Sequence, residues 1–338
     1  MEKSGVHMKK NVLSMIVLGI AISSSTVMAE SGLNNPFLIS NSNPFVKIQG
    51  VPLTRSARLS GTGNLHGSIQ TSISNSFSQS IKDGESILLD GETWNSSFFF
   101  SYGVTDKLDI SINLPFLRHG KGELDSFIEN WHSFFGLPSG GRTEVPRNRL
   151  DYRLLNEPHE TFQLSSDSSD LGDISLLFSR ELSQSEYRLW TLSAGIKLPT
   201  GRIKTLSGSG SANVSASLHY SNNSPFKTQG WHFNQSWGVI HNSKGELLTN
   251  KLRDWVFFGS SQIGWKAREK LSLKAQIDYH SPFYSSGLKE LGSFSVQLTL
   301  GGTIRLNKRL ALDISLSEDI ATDTAPDVTF NFGLRRTF

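Results

Sequence analysis

The sequence predicts an all-β protein, a transmembrane antiparallel β-barrel of about twelve strands, with a long extracellular insert containing a short helix. Three observations carry this. Apolar and polar residues alternate with period two for about ten residues at a time, the chain is too polar for a helical membrane protein, and its last strand ends in Phe338.

Alternation is clearest in the second half. Leu271, Leu273, Ala275, Ile277 and Tyr279 alternate with Ser272, Lys274, Gln276, Asp278 and His280. Leu310, Leu312, Ile314 and Leu316 alternate with Ala311, Asp313, Ser315 and Ser317. Side chains on a strand point alternately to opposite faces, so each such segment has one greasy and one wet face. A soluble sandwich also alternates, but these runs have the roughly 9–11 residues a tilted strand needs to cross a bilayer. Trp94, Trp231, Trp237, Trp255, Trp265, Phe283, Phe330 and Phe338 fall near the ends of the apolar faces, as interface girdles do.

The runs place strands near residues 63–77, 92–104, 107–117, 173–182, 187–199, 211–220, 229–241, 254–266, 271–283, 292–305, 309–318 and 327–338. An even count puts both chain ends on one side, which the short connections identify as periplasmic. The longer connections, 118–172, 199–211, 241–253, 284–291 and 319–327, are then extracellular. An open sheet edge in hydrocarbon leaves unpaired amides at several kcal/mol each, so the sheet must close. Val328, Phe330, Phe332, Leu334 and Phe338 share one face of the last strand, a pattern similar to the signal read by the barrel-assembly machinery; Arg336 departs from it.

Composition agrees. Charged residues are 19% and hydrophobic residues 37% of the chain, with mean hydropathy −0.25, whereas each membrane helix needs about 20 consecutive apolar residues. One such run exists, at the start. Lys9 and Lys10 precede an apolar core at residues 12–22, and Val27-Met28-Ala29 offers a small-residue cleavage site, so residues 1–29 read as a signal peptide. Removing Lys3, Lys9, Lys10 and Glu2 from 33 basic and 30 acidic residues leaves 30 against 29. The whole-chain isoelectric point near 9.0 is therefore no argument for nucleic acid. With no cysteine, disulfides and thiolate metal sites are excluded.

Residues 30–57 carry little periodicity and contain Asn35-Pro36-Phe37 and Asn43-Pro44-Phe45; they read as a periplasmic segment or a plug, with the barrel over 58–338. In the 118–172 insert Leu124, Phe127, Ile128, Trp131, Phe134 and Phe135 follow helical spacing, and Gly136 and Pro138 terminate the pattern. The helix either gates the mouth or braces the rim. Arg142, Arg147 and Arg149, with Arg118, Lys121 and Arg153, form a basic cluster suited to lipopolysaccharide phosphates or an anionic solute, although interleaved acids also permit internal pairing. Lumen candidates are Lys197, Lys274, Asp278, His280, Asp313 and Arg335. No metal-ligand spacing or cofactor motif is present, and none is expected.

Several stretches resemble an uncharacterised family of outer-membrane proteins that carries a domain of unknown function: residues 124–142, 146–152, Leu171-Gly172-Asp173, Leu198-Pro199-Thr200-Gly201, Gly208-Ser209-Gly210 and 317–327. The resemblance implies a barrel and brings no catalytic residues. The Leu-Gly-Asp and Leu-Pro-Thr-Gly pieces also resemble, more weakly, outer-membrane transporters of aromatic-compound degradation.

The leading expectation is an outer-membrane channel or transporter for a small hydrophobic or anionic solute. The second is a non-conducting structural or envelope-interaction protein held against outer-membrane lipid and lipopolysaccharide. The third is a lipid hydrolase with His241 as base and Ser243 as nucleophile on one face of a strand end. A solute path and lipid hydrolysis distinguish the three.

Overall fold

The computed structural model describes residues 32–122, 147–156, 160–223, 230–320, 324–326 and 328–338. Twelve antiparallel strands close into a barrel, each pairing with its sequence neighbour around the ring. They are β1 (Leu65–Lys82), β2 (Glu85–Thr105), β3 (Leu108–Gly120), β7 (Ser175–Gln184), β8 (Arg188–Lys197), β9 (Asn213–Asn222), β10 (Trp231–Asn242), β11 (Trp255–Arg268), β12 (Leu271–His280), β13 (Ser295–Arg305), β14 (Leu310–Asp319) and β15 (Val328–Thr337). Ile69 opposite Leu334 and Ile73 opposite Phe330 sew β1 to β15, which leaves the ring without an edge.

The alternation fixes what faces where. Ile69, Phe98, Ile110, Phe178, Leu192, Leu273, Leu300 and Phe332 stand exposed on the outer face. Ser72, Asp109, Ser193, His219, Gln276, Thr299 and Asn331 are buried inside. Slipping any strand by one residue exchanges these sets, so register is strongly held. Among the described residues no helix is long and apolar enough to span a membrane.

Three further strands, β4 (Asp151–Asn156), β5 (Glu160–Leu164) and β6 (Ser168–Leu171), come from the long insert. The sequence reading missed them, and it also missed that β1 and β2 run on as one hairpin past the ring. The β1–β15 ladder ends at Asn75 and the β2–β3 ladder at Glu92. Residues 76–91 therefore project from the long-loop end, turning at Asp83 (φ 53°) and Gly84 (φ 75°). Two consecutive residues with positive φ form the hairpin turn that Asp-Gly adopts most readily. The β4–β5 hairpin pairs onto this projection, Asp90 facing Asp151 and Glu85 facing Asn156.

Together these elements cap the barrel at its long-loop end with a small apolar core. Ile87, Leu89, Tyr152 and Leu154 pack there with Leu248, Phe283, Tyr284, Leu288 and Leu291 from the later loops. Phe283 is fully buried in this core, which corrects its assignment to an outer aromatic girdle: the chain leaves the wall after His280, so outward parity no longer applies. Glu85 of the projecting hairpin forms an ion pair with the Lys251 ammonium at 2.8 Å, and accepts from the Ser286 hydroxyl and Gly287 amide at 2.9 Å each. The cap is thereby latched to two other loops.

Candidate functional site

Residues 32–57 run inside the barrel, and their course follows from their hydrogen bonds to the wall. The segment starts near the short-turn end, where the Asn35 carbonyl accepts from Lys274 Nζ at 2.6 Å, the Pro36 carbonyl accepts from Arg335, and the Asn34 carbonyl accepts from Asn234 at 2.7 Å. It climbs past Gln276, whose Oε1 accepts from the Phe37 amide at 2.8 Å. At the long-loop end Asn41 Nδ2 donates to His280 Nε2 at 3.0 Å and to the Thr324 carbonyl at 3.1 Å.

There the segment reverses through one helical turn, α1 (Pro44–Lys47). Asn43 caps the turn by accepting from the Phe45 amide at 3.0 Å, and Pro44 sits in the first turn, where a missing N–H leaves no bond unmade. Phe45 inserts into the cap core, edge-on to Phe162 with ring centroids 5.7 Å apart. The descending limb passes Asp278, which accepts from Thr54 at 2.8 Å. Arg55 then donates to Ser179 at 2.8 Å, and Ser60 donates to Asp109 at 2.8 Å, before β1 begins.

The two Asn-Pro-Phe triplets are thus the two anchors of the ascending limb. Phe37, buried beneath the Lys274 ammonium at 5.2 Å, holds the lower end, and Phe45 holds the upper. Gly50, with φ 72°, lets the chain descend against Lys197: a Cβ there would lie 2.3 Å from Lys197 Cδ.

Of the six predicted lumen residues, Lys274, Asp278, His280 and Arg335 hydrogen-bond the inner segment directly. Asp313 acts one step removed, pairing with Arg335 Nε and accepting from Thr303 Oγ1, each at 2.5 Å. Lys197 belongs to a separate knot. Its Nζ lies 2.5 Å from Asp173, 2.6 Å from Ser209 Oγ and 2.9 Å from the Ser211 carbonyl. Asp173 also accepts from the Gly201 and Ser209 amides at 2.9 and 3.0 Å. The Leu-Gly-Asp, Leu-Pro-Thr-Gly and Gly-Ser-Gly stretches, distant in sequence, therefore meet around one buried ion pair.

The gating candidates Phe127, Trp131, Phe134, Phe135 and Arg142 lie outside the described residues. Arg147 is exposed, and Arg149 pairs with Asp90 at 2.8 Å. Arg153 chelates Asp151, so both of these arginines are tied to acids of the cap. Of the candidate pair, the His241 ring lies on Trp255 with centroids 4.6 Å apart, and Ser243 donates to the Ala212 carbonyl. Among the described residues no group of three His, Cys, Asp or Glu could hold a metal.

Between the descending limb and the wall of β2, β3, β7, β8 and β9 lies a cavity. Val51, Pro52 and Leu53 face it from the inner segment, and Leu117 and Leu177 from the wall. Lys47 and Ser40 also line it, Lys47 Nζ donating to Ser40 Oγ at 2.7 Å. Burial pushes the Lys47 ammonium down to about 8. Lys47 and the rest of the inner segment were missed in the sequence as wall contacts; the only local signal was the repeated Asn-Pro-Phe.

A family model described as "Protein of unknown function (DUF3187)" matches residues 11–338. No curated protein compared with the sequence matches it. Among solved structures, the COG4313 outer membrane channel from Pseudomonas putida F1 is similar with a TM-score of 0.55 at 13% identity, over 86% of this chain and 98% of that one. This likeness shows the fold, that of an outer-membrane channel. The NanC porin (TM-score 0.46, 6% identity, 80% and 98% covered) and the toluene transporter TbuX of Ralstonia pickettii (TM-score 0.37, 10% identity, 82% and 89% covered) are more distant.

Proposed function

The chain belongs to the DUF3187 family of unknown function, and on that premise we propose that it is an outer-membrane channel for a small solute, closed by its own N-terminal segment. The observation that carries this reading is the way that segment is held. Along the bore it touches the wall through hydrogen bonds to Lys274, Gln276, Asp278 and Arg335, and its place in the shared apolar core is confined to the bend, at Phe45, Val46 and Ile48. Hydrogen bonds of this kind are exchanged for bonds to water at a net cost of roughly 0.5–1.5 kcal/mol each, or about 1.5–3 kcal/mol where the wall group is charged. The polar wall left behind by a departing segment is therefore compatible with water, whereas an apolar seal would not be.

In this reading the short turns face the periplasm, the capped end faces outward with its arginines near lipopolysaccharide, and Phe338 presents the terminal strand to the assembly machinery. The fold shared with an outer membrane channel supports the placement. Residues 32–57 act as a plug that yields to solute, with the cap as the outer door.

The test is conductance of the refolded chain in planar bilayers beside a variant lacking residues 32–57, with heat-modifiable gel mobility as the check that both barrels fold. Brief openings in the full chain and sustained ones in the variant are expected. A folded variant that never conducts overturns the channel reading in favour of a non-conducting envelope protein.

A further inference from the structure

The cavity beside the descending limb has an unusual charge balance. Three titratable groups line it: Lys47, Asp173 and Lys197. Asp173 and Lys197 neutralise one another at 2.5 Å and are held by further bonds to Ser209 and Ser211. Lys47 has no carboxylate partner among the described residues, and its ammonium is satisfied there only by the Ser40 hydroxyl. A half-buried cation without a counter-ion carries a desolvation cost that an anion beside it offsets.

The neighbouring surface combines apolar side chains with small polar ones, among them Ser97, Ser207 and Asn213, which are engaged in hydrogen bonds of their own. Val51, Leu53, Leu117 and Leu177 offer hydrocarbon, and Val51 and Leu53 keep part of their surface uncovered although they lie within the barrel. On the lumen face of β3, Asn113 lines the same space, and its buried Oδ1 takes no hydrogen bond among the described residues. The amide can turn either end inward, so it is available as a second polar anchor in the same cavity.

Resting on the reading of the barrel as a solute channel, we infer that this cavity is a binding site for a small monocarboxylate with an apolar body, its carboxylate against Lys47 and Asn113 and its body over Val51, Leu53, Leu117 and Leu177. One unpaired cation accommodates one negative charge. A dicarboxylate or phosphate would bring a second charge with only the already neutralised Lys197 to meet it, and a neutral hydrocarbon would leave Lys47 uncompensated. Because Lys47 is the bend residue of the plug, a ligand here contacts both the plug and the wall. Binding is thereby coupled to the plug's position.

The test is titration calorimetry of the folded full chain in zwitterionic detergent with benzoate, benzyl alcohol and phthalate as probes. At pH 7 benzoate binds at least tenfold more tightly than phthalate. Raising the pH to 9 deprotonates Lys47 and weakens benzoate about tenfold, while benzyl alcohol is unaffected. Lys47→Met lowers benzoate affinity at least tenfold and removes its pH dependence; Lys47→Arg retains binding at pH 9. The pH comparison on the unaltered chain stands even where a variant fails to fold. Absence of benzoate binding, equal binding of phthalate, or full benzoate affinity in folded Lys47→Met overturns the site. Bilayer recordings on the same preparation separate the two readings: benzoate binding by a barrel that never conducts removes the channel and leaves the site, and conductance without benzoate binding removes the site alone.

Discussion

The Asn41 amide donates to His280 Nε2 at 3.0 Å, joining residues 239 positions apart and tying the plug to the mouth of the barrel. The same amide reaches Ser295 Oγ at 3.2 Å and the Thr324 carbonyl at 3.1 Å, so one side chain bridges β12, β13 and the loop before β15. Since His280 Nδ1 donates to the Ser281 carbonyl at 2.9 Å, Nε2 is left as the acceptor.

Asn41→Ala removes all three bridges without touching the ladder of the barrel. The expected outcome is looser docking of residues 32–57 by about 2–3 kcal/mol and more frequent channel openings. Hydrogen exchange provides the check: faster exchange confined to the plug is predicted, and unchanged plug protection contradicts it.

Glu85 gives the cap a dependence on acid. Burial alone would raise its carboxyl, but Lys251 at 2.8 Å, Gly287 and Ser286 outweigh burial and hold it below its ordinary value of 4.5. A carboxyl depressed in the folded state contributes stability that is complete above its unfolded value and is lost as pH falls through the folded value. The cap is expected to loosen below about pH 4.5, and Glu85→Gln to loosen it at neutral pH by roughly 1–3 kcal/mol. Protease sensitivity of residues 76–91 against pH reads this; a profile unchanged by the substitution would show the latch to be inert.

Asp173→Asn leaves Lys197 charged and unpaired in a closed site, since both side chains are at most 4% exposed. A loss of about 3–5 kcal/mol is expected, measured by urea unfolding in lipid vesicles. Replacing both residues, Asp173→Asn with Lys197→Met, should recover part of it. A double variant as unstable as the single would mean the amide contacts to Gly201 and Ser209 dominate.

Phe45→Ala empties a fully buried position in the cap core. A loss of about 3–5 kcal/mol is expected in docking of the plug and cap, with little change in unfolding of the ring itself. Conductance should rise in this variant, because Phe45 is the largest of the inner-segment side chains in the cap core, beside Val46 and Ile48. A rise in unfolding rate of the whole barrel, without extra openings, would contradict this.

The ring strands were legible because one face meets lipid and the other meets water or polar chain, so period two persists for whole strands, as from Leu271 to His280. The projecting hairpin was less legible although its turn, Asp83-Gly84, is a strong signal. Where the projecting hairpin meets the cap its alternation is lost: Leu89, Asp90 and Gly91 are consecutive and all buried. The course of the inner segment could not be read, because its partners are Lys274, Asp278, His280 and Arg335, hundreds of positions away and indistinguishable in sequence from residues lining an open pore. The glycine motifs stood out in the sequence, but their convergence on Asp173 and Lys197 needs the fold.

The most direct test of the account is to fasten the plug to the wall. Ser56 Oγ lies 3.1 Å from Ser221 Oγ, and the chain contains no cysteine, so Ser56→Cys with Ser221→Cys introduces a single reversible tether. Single-channel recording of this variant should show openings when reduced and their loss on oxidation, restored by reductant. Equal conductance in both states, with the disulfide verified, would contradict the claim that movement of residues 32–57 opens the barrel.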